Sequence, residues 1–504
     1  VEGGRHEVAD RDGVRGGAVE ARGGADCLHG LVTDAPDGRP ADDPRLARRG
    51  RVVESQNEVG HNARVDEPLL DAAEQDALEP DDALERHALG GDAVGGDALE
   101  RAALERAALE RAALEPAAVP GDGRPRTRRP AAARRSARYL RSLGVPLGAA
   151  AGSALLHCLL LLWLDSPGQS FASRLHVWDA QYYVQIAQSG YPHGYAYANG
   201  QLTGNNLAFF PLYPLLIRIA HMVSGLAWGT SALVVAWLCA FAAAVVVHRL
   251  LLRLVSARVA GFAVALVFCQ PMAVSLWIAY TESLFLLLAA AALLAARREA
   301  WLWAGLLSCL AGLTRSIGLA VSAAVVVAVL LAARRRGRVD WRMVAGALLG
   351  CAGMPAYLGW VGLQVGHLNG WSHIQSAGWG TAWDWGRSTV DFLTSTLHNS
   401  DGWVPVSVAF VLIGYTVACA AALLERPWPP LAVYGVLILA ASLGQSNYYH
   451  SKPRLLVPIL LAVLPLASGL ARARRANGLL ALGGIAFFGC WFGVYMLTVW
   501  PYAI

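Results

Sequence analysis

From Val145 to its end the chain alternates between long apolar runs and short polar breaks. The runs fall near 145–164, 228–250, 259–278, 281–297, 301–314, 317–333, 343–366, 403–424, 429–447, 455–471 and 479–500. Most have the length an α-helix needs to cross the hydrocarbon core of a bilayer, about 20 residues. The pattern predicts an all-α polytopic membrane protein with about 11 transmembrane helices, one for each run. A further apolar stretch, FFPLYPLLIRIAHMVSGL (209–226), carries Arg218, His221 and two prolines. It reads as an interfacial or re-entrant helix. Three polar motifs interrupt the apolar background: WDAQYY (178–183), YTES (280–283) and YYHSKPR (448–454).

Arginine placement orients the runs. The segment RTRRPAAARRSARYLRS (126–142) puts the N-terminal side of the first run in the cytoplasm. Counting crossings from there places Arg249, Arg253 and Arg258, then Arg297 and Arg298, then 334–342, Arg426 and 472–475 on the same inner side. This agreement holds only if 209–226 does not cross. Segments 165–227, 367–402 and 446–454 then face outward, joined there by tight connections at 278–281 and 314–317. All three polar motifs fall on that outer face. Ionisable residues gathered at one membrane face are a functional site by default. The expected location is the plasma membrane, with a cytoplasmic N-terminus and an extracytoplasmic active site.

Composition divides the chain near residue 140. The first 144 residues hold 28 acidic and 22 basic side chains, whereas the rest hold 9 and 20. Residues 1–135, rich in Ala, Gly, Asp, Arg and Pro, lack the apolar surface to offset chain entropy and read as a disordered low-complexity head. No methionine precedes Met222, which fits a misassigned gene start for part of that head. The membrane domain is taken as 140–504, with its first run retained as an anchor rather than a cleavable signal. Its basic excess marks topology, not nucleic-acid binding. The cysteines have neither disulfide-framework nor metal-ligand spacing.

On a helical wheel of WDAQYYVQIAQ, Trp178, Tyr182, Tyr183 and Ile186 share one face, and Gln181, Gln185 and Gln188 the other. Asp179 falls in the aromatic arc. A carboxylate there loses part of its hydration and can accept a proton from an incoming hydroxyl. It also fits a plain helix N-cap. Glu282 reads either as a dipole complement behind a Thr281 cap or as an acceptor for substrate hydroxyls. Arg315, His450, Lys452 and Arg454 are cations against the positive-inside trend. They call for an anionic partner, and a lipid phosphate suits them. The alternative for each is headgroup snorkelling. The outer segments are dense in Trp and Tyr, which suit both a membrane interface and the faces of sugars. No nucleotide-phosphate fingerprint is present, so a phosphate-linked substrate outside the cell would arrive on a lipid.

The series WDAQYYVQIAQSGY, LAFFPLYPLLIR, YTESLFLLLAAAAL, LAGLTRSIGLA and HIQSAGWGTAWDWG resembles the PIG-V family of mannosyltransferases across roughly 140–500. Eukaryotic members add the second mannose of the GPI anchor, and bacterial relatives keep the motif order without GPI. The resemblance implies a GT-C type fold with amphipathic helices in the first outer loop and a polyprenyl-phosphate sugar as donor. It implies Asp179 as catalytic base, with Trp178, Tyr183, Glu282, Arg315 and Gln375 in the substrate pocket. YYHSKPR matches the family's outer Pro-Arg region, which adds His450, Lys452 and Arg454. Phe209, Phe210 and Tyr213 would form an apolar wall. The acceptor would be a lipid, glycan or protein hydroxyl, with membrane lipids around it. No cofactor is required, although an Asp179/Glu282 pair could hold a divalent metal. A lipid-linked sugar flippase or transporter is the alternative, expected to show inverted repeats with interrupted helices.

Overall fold

The computed structural model describes residues 131–164 and 170–502, with side chains from 143 onward. The expected disordered head (1–135) and the expectation about its gene start fall almost wholly outside the described residues. In chain order the helices are α1 (Ala131–Trp163), α2 (Phe171–Arg174), α3 (Asp179–Ser189), α4 (Leu212–Ser224), α5 (Trp228–Leu251), α6 (Ala257–Cys269), α7 (Glu282–Arg297), α8 (Trp301–Gly312) and α9 (Gly318–Arg336). They continue with α10 (Trp341–Val365), α11 (Gly370–Trp379), α12 (Arg387–Asn399), α13 (Trp403–Leu424), α14 (Pro429–Leu443), α15 (Lys452–Leu456), α16 (Val463–Arg472) and α17 (Arg475–Thr498). Two small antiparallel pairs join them: β1 (Ala196–Ala198) with β2 (Gln201–Thr203), and β3 (Ala382–Trp383) with β4 (Gln445–Ser446). Asn199 and Gly200, both at positive φ, make the tight turn between β1 and β2.

Six helices among the described residues are long and apolar enough to cross a membrane: the 143–163 part of α1, then α5, α9, α10, α13 and α17. The protein is thus an all-α, multi-pass membrane protein. Four apolar helices (α4, α6, α8 and α14) are shorter, at 10–17 residues. Two expected spans are not continuous helices. The 259–278 run breaks after Cys269, where Gln270 is extended and Met272 is left-handed at φ 64°. The 455–471 run breaks between Leu456 and Val463. Pro271 contributes to the first break because it lacks the N–H a continuing helix would need.

Irregular backbone inside an apolar bundle needs internal partners. Gln270 supplies them for both breaks. Its amide nitrogen donates to Val267 O at 2.8 Å and Val457 O at 2.7 Å, and its oxygen accepts from the Tyr415 hydroxyl. A second device joins α8 and α10, which meet backbone to backbone. A Cβ on Gly312 would lie 2.8 Å from Met354 N, and one on Gly305 or Gly353 would run into backbone across the seam. Small residues of this kind let membrane helices approach closely. Ser308 and Ser322 both donate to Gly350 O, at 3.1 and 2.7 Å, which ties α9 to the same seam.

Several polar loops and helix termini gather at one end of the bundle. The N-terminus of α7, the 313–317 turn between α8 and α9, the C-terminus of α14 and the start of α15 meet there with α3 and α11. The segments 170–227, 367–402 and 446–454, far apart in sequence, supply that end together. The arginine-rich termini of α7 and α9 lie roughly 24 and 28 Å away along their helices.

Candidate active site

A cavity of about 170 Å³ opens at that end, lined by polar and aromatic side chains. Its charged floor is built from three elements. Asp179 is the first residue of α3, where a negative charge complements the helix dipole. The preceding Trp178 is held at φ 55°, a conformation costing about 1–3 kcal/mol for a non-glycine residue, and this turn aims Asp179 at Arg454. Arg454 Nη1 donates to Asp179 Oδ2 at 2.8 Å, and its Nε lies 3.5 Å from Glu282 Oε1. Arg315 Nη1 sits 2.5 Å from the same Glu282 oxygen and donates to Thr281 Oγ1 at 3.1 Å. The result is a chain of alternating charge: Asp179, Arg454, Glu282, Arg315. The Arg454 guanidinium also lies 4.9 Å above the Tyr280 ring.

Burial differs along this chain. The Glu282 side chain is 2% exposed, whereas Asp179 is 20% and Arg315 15% exposed. Glu282 is therefore beneath the cavity, holding the two arginines, while Asp179 and both arginines reach its surface. Burial works against the Arg454 charge, but the Asp179 and Glu282 carboxylates outweigh it and raise its pKa above the ordinary value. Burial, reinforced by the Asp179 charge, raises the Tyr183 phenol, which stays a neutral hydroxyl 3.4 Å from Thr281 Oγ1.

Aromatic rings make the walls. Trp371, Gln375 and Trp379 recur every fourth residue along α11, so all three meet the cavity from one helix face. Gln375 Nε2 and Trp371 Nε1 both donate to Ala208 O, at 3.1 and 3.2 Å, which fixes α11 against the FFPLYP segment. Phe209 stacks on Tyr182 at 4.6 Å and meets Trp379 edge-on at 5.3 Å. Tyr357 holds that segment from below by donating to Leu207 O and Phe209 O.

The structure thus brings together Asp179, Tyr183, Arg315, Gln375 and Arg454 at one cavity, with Phe209 and Phe210 on its wall. Tyr213 lies behind that wall, fully buried and bonded to Ala232 O. Four expected contacts fall elsewhere, counting Glu282, which lies beneath the cavity and does not line it. Trp178 precedes the helix rather than sharing its buried face, is 39% exposed and does not line the cavity. Lys452 is buried, with its Nζ donating to Ser442 O at 3.2 Å and Gln445 O at 2.6 Å. Burial lowers its pKa to about 8, with Asp384 opposing. His450 packs among Tyr448, Tyr449 and Tyr502. For Lys452 the signal that misled is charge type, which does not reveal that a cation is consumed by backbone carbonyls.

The sequence reads Thr281 as a helix cap, yet its side chain makes no capping bond and instead accepts a hydrogen bond from Arg315. The metal option also meets an obstacle: Arg454 lies between Asp179 and Glu282, where a shared cation would sit. Among the described residues no group of three or more His, Cys, Asp or Glu could hold a metal.

A multi-pass helical bundle with an ion-paired, aromatic-walled cleft at one end defines the class of protein. Residues 163–356 match the family model for mannosyltransferase (PIG-V), so the resemblance read from the motifs is borne out over that segment. The match includes Asp179, Glu282 and Arg315, and ends before Gln375 and Arg454. Comparison with curated proteins found no match. Among solved structures, the apo oligosaccharyltransferase of Archaeoglobus fulgidus is similar with a TM-score of 0.43 at 13% identity, over 70% of this chain and 56% of that one. ArnT from Cupriavidus metallidurans, bound to undecaprenyl phosphate, gives 0.41 at 16% identity over 66% and 62%. The chain therefore spans less than two thirds of the length of either.

Proposed function

We propose that this protein is a GT-C type membrane glycosyltransferase. It transfers mannose from a polyprenyl-phosphate donor to an acceptor hydroxyl of a lipid, glycan or protein, with inversion. The reading rests on one observation above all: Asp179 and two arginines share the floor of an aromatic-walled cleft within a chain matching the PIG-V family.

In this mechanism the donor phosphate lies against Arg315 and Arg454, and the sugar against Trp371, Trp379 and Phe209. Asp179 takes the acceptor proton as the hydroxyl oxygen attacks the anomeric carbon. The bond from that carbon to the phosphate oxygen breaks, and the lipid phosphate leaves with the electron pair, its charge met by the two guanidiniums. One displacement gives inversion; a double displacement would need a second carboxylate as nucleophile, and Glu282 lies beneath the floor with its charge already shared. The donor phosphate and Asp179 compete for Arg454, so donor binding releases the base at the moment it is needed. His450 and Lys452 take no part in this phosphate contact.

The transporter reading gains nothing from the two helix breaks. They carry no charged side chain, and Gln270 closes them to one another. In this reading the membrane is the plasma membrane, and the arginine distribution supports an orientation with the cleft facing away from the cytoplasm.

The test is transfer of labelled mannose from polyprenyl-phosphate mannose to endogenous acceptors, in membranes holding matched levels of wild type or Asp179→Asn. Transfer should fall on the order of 100- to 10,000-fold in the variant. Equal transfer by both would remove Asp179 as base, and none by either would remove this donor.

A further inference from the structure

A second cavity, of about 430 Å³, lies at the arginine end of the bundle. The helices α7 and α14 run between the two: each has one terminus at the cleft and the other here. Arg253, Arg297 and Arg426 rim this cavity, opposed by a single lining carboxylate, Glu425. Among the described residues none of the three guanidiniums forms an ion pair, although Arg297 lies 5.6 Å over the Trp428 ring. Beneath the rim the lining is apolar, with Leu431 and Leu464 almost completely buried. Arg426 is held at φ 51° in the turn between α13 and α14, so its position is imposed by the backbone and not by an acidic partner.

Cations above an apolar floor, at the ends of membrane-crossing helices, match an anionic amphiphile in both polarity and depth. Three unpaired guanidiniums would meet a phosphodiester through charge-assisted hydrogen bonds, and the leucine floor would meet the start of its acyl chains. A free phosphate would use the rim alone and leave the floor bare. Arg335 and Arg336, at the same end on α9, differ because both pair with Glu299. We infer that this cavity binds the head of an anionic phospholipid, by Arg253, Arg297 and Arg426 around one phosphate. The site is independent of the catalytic reading and needs only that the bundle sits in a membrane.

The experiment titrates the detergent-solubilised full chain with short-chain phosphatidylglycerol, short-chain phosphatidylcholine and inorganic phosphate. Phosphatidylglycerol should bind at least about tenfold more tightly than the other two. Replacing Arg253, Arg297 and Arg426 by Gln should weaken it on the order of a hundredfold. The same change at Arg334, Arg335 and Arg336 removes equal charge from the same end and should alter binding less than about threefold. If the triple variant does not fold, Arg253→Gln and Arg426→Gln singly should each weaken binding roughly fivefold. Equal binding of the two lipids, or equal loss from both triple variants, would overturn the site. Phosphate binding as tightly as the lipid would overturn the lipid as its occupant.

Discussion

Arg454 is shared between carboxylates that stand 275 and 172 residues before it in the chain, and among the described residues no other side chain forms an ion pair with both. Its two contacts use different nitrogens of one planar group, which a lysine cannot reproduce. Arg454→Lys should keep the charge, lose one contact, and lower mannose transfer about 10- to 100-fold. Donor KM should rise with it, whereas a merely structural role would leave KM untouched. Glu282→Gln removes the one buried negative charge that holds two arginines. The expected loss is roughly 3 kcal/mol, at the low end for a broken buried pair because Arg315 keeps some water. A lower thermal midpoint in detergent, together with weakened transfer, would bear this out; an unchanged midpoint would count against the buried support. Lys452 gives a pH signature. Its folded pKa, about 8, lies below the unfolded value, so the unfolded chain binds more protons between about pH 8 and 10.5. Stability should therefore rise with pH across that window, by about 3 kcal/mol at most. Melts of wild type and Lys452→Met at pH 8 and 9.5 should differ in that slope.

At the scale of elements, the cleft depends on approaches that only glycine permits. A Cβ on Gly378 of α11 would lie 2.7 Å from Gly204 Cα, next to β2. Gly378→Ala should push α11 away and displace Trp379 and Gln375, lowering transfer while most of the fold survives. Activity equal to wild type would show that α11 does not set the cleft. The apolar runs were legible as helices because an uninterrupted run of about 20 apolar residues has few other stable forms in a bilayer. The two breaks were not legible as breaks, since the prolines that mark them, Pro271 and Pro458, are residues also found within kinked helices of an apolar run. The Asn199–Gly200 hairpin carried a recognisable turn pair between Tyr197 and Leu202, but a short polar segment between membrane runs drew no strand assignment.

At the scale of the molecule, the polar cleft and the arginine-rich termini occupy opposite ends of α7 and α9. The orientation proposed from the arginines predicts which end a membrane-impermeant thiol reagent reaches in intact cells. With Cys27 and Cys351 replaced by Ser, Trp385→Cys, at a position 87% exposed on the cleft end, should label. Arg338→Cys, at the other end, should label only after permeabilisation. The reverse pattern would invert the topology.

The sequence by itself determined the helical, membrane-spanning character, the separation of polar motifs from arginine clusters, and the identity of Asp179, Arg315 and Arg454 as residues out of place. Each follows from local pattern, because the bilayer penalises charge wherever it lies in the chain. Tertiary structure alone decided which of those charges meet. It placed Glu282 under the cleft rather than on its surface, gave Arg454 to both carboxylates, and turned Lys452 inward onto two carbonyls. The Arg454 contacts join segments far apart in the chain, the Lys452 contacts reach carbonyls only 10 and 7 residues away, and neither hydropathy nor charge order carries either outcome.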